Sequence, residues 1–268
     1  MSNVSNGLQT DIILFDLSNL IFYRYYSIQK YFNFKQKKLH TEEFKNKFLE
    51  FDSILYKISK KLNIKNIINN KNIYYLKDCK RSDIWRHKYI ENYKGNRKHN
   101  TEIKEYFTLA IDKYFHDKNI IEENFLEADD ICAIFVNYII HNNIKYNNIY
   151  IFTSDVDYLQ LKYNNNIHIY DMKLNNLSNK SLGSYTKDLI YKCIMGDKSD
   201  NIKPVFNRIN KKLLMTYINE FHIFINYLNK NPNVKKKYDL NCLLIDLNNI
   251  PDELKYNVIE KLKLLNHF

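Results

Sequence analysis

The sequence predicts an α/β fold built on a mostly parallel central sheet flanked by helices, and three observations carry that prediction. Short runs rich in Ile, Leu, Tyr and Phe recur along the chain, each the length of one strand. Longer stretches between them place apolar residues at helical spacing. Several of the apolar runs also lead into an acid, where parallel sheets bind their ligands.

Residues 11–17 form a β-branched and aromatic run that reads as a buried strand ending at Asp16. Over 42–62, Phe44, Phe48, Phe51, Ile54, Leu55, Ile58 and Leu62 recur as on one helix face. A second strand is expected at 72–76, followed by Asp78. The segment 82–116 is long, polar, basic and mostly helix-compatible. A helix over 131–140 opens on Glu127, Asp129 and Asp130. A third strand at 148–152 leads into Asp155 and Asp157, and 167–171 reads as a fourth. Beyond residue 182 the pattern turns helical at 185–195 and 211–228, with a further apolar run at 241–247. No internal repeat or long linker interrupts this order. The expected organisation is a flexible tail at 1–10, an α/β core over 11–195, and a helical region over 196–268 packed on that core.

Composition narrows the class. With 268 residues and 45% hydrophobic content the chain can bury a sizeable core. Asn and Lys are abundant while Gly occurs four times and Pro three, a skew that reads as nucleotide bias in the encoding genome. A Gly retained against that bias points to a backbone position other residues fill poorly. Cys79, Cys132, Cys193 and Cys242 lack paired spacing, which argues for reduced thiols rather than a disulfide frame or a zinc site. No stretch approaches the roughly 20 apolar residues of a bilayer span, and residues 1–10 lack the apolar core of a signal peptide. A soluble intracellular protein, with no membrane partner and a monomeric state, is expected.

The formal net charge is +11, and the excess is uneven. Residues 77–98 hold eight Lys or Arg against three acids, and 203–237 hold eight against Glu220 alone. Such regions suit phosphate contacts, although a Lys-rich composition also produces solvated basic faces without function. Against this background nine carboxylates gather in five clusters: Asp16; Asp78; Glu127, Asp129 and Asp130; Asp155 and Asp157; Asp197 and Asp200. Hard cations such as Mg²⁺ and Mn²⁺ are held by carboxylate oxygens. Two such ions about 3.5–4 Å apart activate water and stabilise the leaving oxygen of a phosphoryl displacement. Each cluster alone has a plainer reading. Glu127–Asp130 stands evenly between helix cap and ligand, and Asp16, Asp155 and Asp197 can start turns. Five in this order, flanked by basic regions, point to metal-assisted cleavage of a phosphodiester.

The ordered pieces resemble the 5′-nucleases, a family of flap endonucleases, phage 5′→3′ exonucleases and nuclease domains of bacterial repair DNA polymerases. They are Phe15-Asp16-Leu17-Ser18-Asn19-Leu20, Tyr93-Lys94-Gly95-Asn96-Arg97, Glu127-Ala128-Asp129-Asp130, Thr153-Ser154-Asp155-Val156-Asp157 and Ile194-Met195-Gly196-Asp197-Lys198-Ser199-Asp200-Asn201-Ile202. The resemblance spans roughly 11–247 and implies a PIN-like core, a helical arch at about 82–116 that admits a 5′ single strand, and a helix-hairpin-helix-like region after it. It implies that Asp16, Asp78, Glu127, Asp129 and Asp130 serve a first Mg²⁺, and Asp155, Asp157, Asp197 and Asp200 a second, with Mn²⁺ as a substitute. Lys94, Asp16, Asp129 and Asp130 would then be catalytic. Tyr93 would stack on a base, while Arg24, Arg86, Lys94 and Arg97 would contact phosphates. Trp85, Tyr89 and Tyr93 interleave with the basic residues in a manner that suits base stacking, with core packing an equal prospect for Trp85.

The chain departs from the family pattern in three places. Leu17 stands where Gly is usual, Arg24 comes one position late, and no Gly follows Gly196. The hairpin is therefore expected at 205–212, with Asn207 and Asn210 in place of glycines at positive φ and Lys211 and Lys212 beside them on duplex phosphates. The Gly-less turn weighs against the K⁺ ion that relatives hold there. The implied substrate is DNA with a 5′ flap or end, including RNA–DNA primer junctions, cut during replication or repair. A nuclease preferring RNA ends and a non-catalytic binder of branched DNA are the competing readings.

Overall fold

The computed structural model describes residues 11–64, 67, 71–97 and 101–265. The expected tail at 1–10 lies outside them. Five strands form one parallel sheet: β1 (Ile12–Asp16), β2 (Ile73–Lys77), β3 (Ile120–Glu122), β4 (Ile149–Phe152) and β5 (Ile167–Tyr170), in the order β3-β2-β1-β4-β5. Every pairing is parallel. Four strands match those read from the sequence; β3 was missed because three residues are too few to show a period. The chain builds outward from β1 on one side and then returns to build outward on the other. That reversal opens a crevice at the carboxyl end of β1, the usual ligand position of such sheets.

Alternation along the strands divides the core between two faces. Ile12 and Leu14 of β1, with Tyr74 and Leu76 of β2, pack under helices α5 (Ala128–His141) and α10 (Asp252–Leu264). Ile13, Phe15, Ile73 and Tyr75 face α1 (Leu17–Phe34), α2 (Glu42–Leu49), α3 (Asp52–Leu62) and α4 (Thr101–Ala110). A third apolar cluster unites α6 (Tyr185–Met195), α7 (Lys211–Asn219), α8 (Phe221–Lys230) and α9 (Pro232–Ile245). Ile84 and Tyr93 belong to it, so the first part of the 82–116 segment is packed against the C-terminal helices.

Several expected elements divide. The helix read over 42–62 breaks at Glu50, whose ψ of 58° is non-helical, and the break turns Phe51 into the core 5.0 Å from the Phe115 ring. The helix read over 211–228 breaks at Glu220 (φ −122°, ψ 64°). Helical character in 82–116 is confined mainly to α4 and the π-turn Ile111–Phe115. Among the described residues before them come only the 3₁₀ turns Arg81–Asp83 and Trp85–Lys88. The first strand ends at Asp16 as expected, and Leu17 is the first residue of α1 and fully buried. The side chain that replaces the family's Gly therefore points into the core.

Candidate active site

Sheet register carries three acids to one crevice. Asp16 ends β1 beside Leu76, two residues before Asp78, while Phe15 pairs with Phe152, three residues before Asp155. Asp129, from the first turn of α5, completes the wall. Together with Glu127, Lys94 and Arg97 these residues line a cleft of about 770 Å³. The acids are fixed by short local bonds. Asp16 caps α1, accepting from the Asn19 N–H at 2.9 Å and from Thr153 Oγ1 at 3.0 Å. Asp78 accepts from Ser18 Oγ at 2.6 Å and from the Ala128 N–H at 2.8 Å.

Among the described residues these carboxylates form no direct ion pair, and they repel one another. Burial, with Asp78 adding to it, pushes Asp16 up to about 7. Burial and Glu127 raise Asp78, and burial, Asp130 and Glu127 raise Asp129 well above the carboxylate range. A buried set of hard oxygen donors held together against their own repulsion fits a divalent cation, which removes both the repulsion and the proton. Oxygens of Glu127, Asp129 and Asp130 also lie within 4.8 Å of one another.

Asp130, one of these three, is also engaged by Arg86. It is fully buried, and its two oxygens each lie 2.7 Å from an Arg86 guanidinium nitrogen. Trp85 Nε1 and the Glu127 N–H also donate to it, at 3.1 and 3.2 Å. Its lone pairs are committed to a bidentate pair and a helix cap. The expectation for Arg86 is corrected. Buried at 2% exposure, it also donates to Leu244 O at 2.7 Å, so it ties α5 to α9 rather than presenting its guanidinium at the surface. Trp85 is core, and of the three interleaved aromatics only Tyr89 is exposed.

Two further expectations are overturned by burial. The Tyr93 ring is 3% exposed, with its hydroxyl 2.9 Å from both Glu127 Oε2 and Asp200 Oδ2, so it orients acids rather than offering a face to a base. Arg24 is 6% exposed and donates to the Lys47 and Phe48 carbonyls, clasping α2 against α1 instead of meeting phosphate.

The second group of acids is paired with lysines. The Lys94 ammonium contacts Glu127 and lies 3.6 Å from Asp200, bridging the two groups of acids. Its backbone is held at φ 55°, strained for a non-Gly residue, with its N–H on the Asp200 carbonyl at 3.1 Å. Burial would raise Glu127, but Lys94 and Arg86 outweigh it and hold this carboxyl below its usual value. Arg97 meets Asp200 at 2.6 Å from a partly exposed position. Lys192, in the last turn of α6, lies 2.6 Å from Asp157 and also contacts Asp197. Asp157 still rises to about 7 through burial and Asp155, whereas Lys192 and Ser199 outweigh burial at Asp197 and hold it at about 2. No signal in the sequence separates Lys192 from the other 40 Lys and Arg. Asp155 accepts from the Asp157 N–H at 2.9 Å.

Backbone geometry aims Asp197 and Asp200. Gly196 adopts φ 68°, and Asp197 exchanges two backbone hydrogen bonds with Ile202, at 2.9 and 2.7 Å. A Cβ at Gly196 would lie 2.5 Å from Ile202 O, so the retained Gly is required by both φ and space. The expected hairpin turn differs. Among the described residues after Gly196, positive φ occurs only at Asn201 (62°). Asn210 instead caps α7 at φ −76°, accepting from the Leu213 N–H at 2.8 Å. Asn207, Lys211 and Lys212 stand exposed around that helix start.

The family model described as the 5′-3′ exonuclease, N-terminal resolvase-like domain, matches residues 11–190. Solved structures give the same fold. The T5 D15 protein co-crystallised with metal ions is 16% identical, with a TM-score of 0.68 over 96% of this chain and 100% of that one. A bacteriophage T5 D15 flap endonuclease variant, in a pseudo-enzyme-product complex with DNA and metal ions, is 15% identical at a TM-score of 0.67, covering 95% and 98%. The T5 5′-exonuclease with zinc bound is 18% identical at 0.66, covering 93% and 98%. No curated protein sequence matches the chain. With the family model spanning well over half of its length, the chain belongs to the 5′-3′ exonuclease family and is a nuclease, a hydrolase of phosphodiester bonds.

Proposed function

We propose that this nuclease is divalent-metal-dependent and structure-specific, hydrolysing DNA at 5′ flaps and 5′ ends. The observation that carries this reading is the cleft itself. Asp16, Asp78, Asp129 and Asp155 converge there with no direct ion pair among the described residues, while Lys94 and Arg97 sit on the same wall. Two Mg²⁺ ions bound to the two groups of acids would supply an activated water and stabilise the leaving oxygen. Asp16, Asp78, Glu127 and Asp129 would hold the first; Asp155, Asp157, Asp197 and Asp200 the second. Mn²⁺, with the same preference for oxygen donors, is the natural substitute.

The chain's own groups do the rest. Lys94 directs an ammonium into the cleft, where it offsets charge that grows on the phosphoryl oxygens. Arg97, half-tied to Asp200, binds a neighbouring phosphate. Tyr93, Arg86 and Asp130 keep Glu127 and Asp200 in place. The T5 flap endonuclease variant, similar in fold, was crystallised with DNA and metal ions, which supports a DNA substrate here. Removal of flaps or primer ends in replication or repair follows as the role. The absence of a Gly-like turn at 207–210 leaves duplex contact to Asn207, Asn210, Lys211 and Lys212, without a K⁺ site.

Purified protein, Mg²⁺ and a labelled 5′-flap DNA test the reading. Cleavage near the flap junction is expected, unaffected by exchanging K⁺ for Na⁺. A folded protein that cuts under neither Mg²⁺ nor Mn²⁺ would leave only the branched-DNA binder. Faster cutting of a matched RNA 5′ strand would transfer the assignment to RNA ends.

A further inference from the structure

Two lysines sit among the acids, and they sit differently. Lys94 faces the cleft and joins the two groups. Lys192 lies inside the second group alone, its ammonium between Asp157 and Asp197. These two carboxylates come from different elements, one following β4 and one following α6, and the ammonium bridges them. It is a single charge placed where a doubly charged ion would bind, with only hydrogen-bond geometry to hold it.

The surroundings give that ammonium somewhere else to go. Lys192 also borders a second cavity of about 530 Å³, on the flank formed by Val156, Tyr191, Met195 and Met215. Asp188, one helical turn before Lys192 on α6, lines the same cavity. A flexible four-carbon stem can therefore carry the charge from the acid pair to the cavity without moving the helix.

We propose that Lys192 is a displaceable, tethered cation. It neutralises Asp157 and Asp197 in the metal-free protein, yields its place when a divalent ion enters, and so sets the concentration at which the second ion binds. This rests on the two-ion reading of the acids above. The device keeps the second group folded without metal and makes the second ion bind more weakly than the bare carboxylates would allow.

Mn²⁺ binding to the full chain, followed by electron paramagnetic resonance of the free ion, tests this without any cleavage. Wild type is expected to show a tighter and a weaker class of site. Lys192→Met should tighten the weaker class by about ten-fold, since a competing charge is gone, and leave the tighter class unchanged. Metal-free Lys192→Met should melt below wild type, and saturating Mn²⁺ should close that gap. If the weaker class is unchanged or weakened, or if the melting deficit is equal with and without Mn²⁺, Lys192 is an ordinary structural ion pair and the proposal falls. Asp197→Asn separates the two levels of argument. It should abolish the weaker class, and persistence of both classes would overturn the two-ion reading itself, taking this inference with it.

Discussion

The two groups of acids in this protein solve the same electrostatic problem in opposite ways. Asp16, Asp78 and Asp129 are held by strand ends, a helix cap and hydroxyls, and among the described residues none of them forms a direct ion pair. Their mutual repulsion appears as raised proton affinity. Asp157, Asp197 and Asp200 are instead held in ion pairs with Lys192, Lys94 and Arg97. The first group takes up protons to relieve its repulsion; the second is paired with side-chain cations. The first group should offer the tighter site for a divalent ion, because the ion displaces protons there rather than a tethered ammonium.

Substitutions break this contrast at different depths. Asp129→Asn removes a donor from the unpaired group and should lower single-turnover cleavage by about 10³-fold. The metal-free protein should melt higher, since a buried repelling charge has gone. A loss under ten-fold would show that Asp129 is not a ligand. Its neighbour should behave in reverse. Asp130→Asn strips Arg86 of its bidentate partner and should destabilise by about 3–5 kcal/mol in urea unfolding, with or without Mg²⁺. Equal stability of the two variants would erase the division between ligand and pillar. Lys94→Met should slow cleavage by about 10²–10³-fold at saturating DNA, while DNA affinity changes only a few-fold; a loss seen in affinity alone would make Lys94 a binding residue.

Proton linkage sharpens the same contrast. Asp16 and Asp157 are raised to about 7 in the folded protein, from an ordinary value near 3.8. Their contribution to stability is thus full below pH 3.8 and is lost as pH rises through about 7. Asp197, held at about 2, contributes above its ordinary value and loses that contribution only as pH falls toward 2. Divalent ions bind the ionised forms, so the rise in Tm given by Mg²⁺ should be larger at about pH 8 than at about pH 6. A Tm gain independent of pH would mean that no buried proton is displaced. The smallest effect is expected at the rim. Lys211→Ala combined with Lys212→Ala should weaken duplex binding a few-fold and lower the salt dependence by about two charges, with the cleavage rate at saturation unchanged.

The sheet was legible because buried parallel strands are short apolar runs and each one ended near an acid. The motifs also carried the acids of the cleft, since a ligand type is written in the residue itself. What the sequence hid was partnership. Asp129 and Asp130 are adjacent and identical in type, yet one faces the cleft and the other faces Arg86. Arg86, Arg24 and Tyr93 looked like substrate contacts because charge and aromaticity are visible in sequence, whereas burial by α9, α2 and the acids is not. Lys192 was invisible for the converse reason, one lysine in a lysine-rich chain. The Asn residues at 207–210 failed as glycine substitutes because one of them was needed as a helix cap.

Gly196 constrains more than its own turn. Because a single added carbon would strike the Ile202 and Lys203 backbone, Asp197 and Asp200 cannot drift apart by small steps. Any side chain at position 196 would therefore disturb both acids at once.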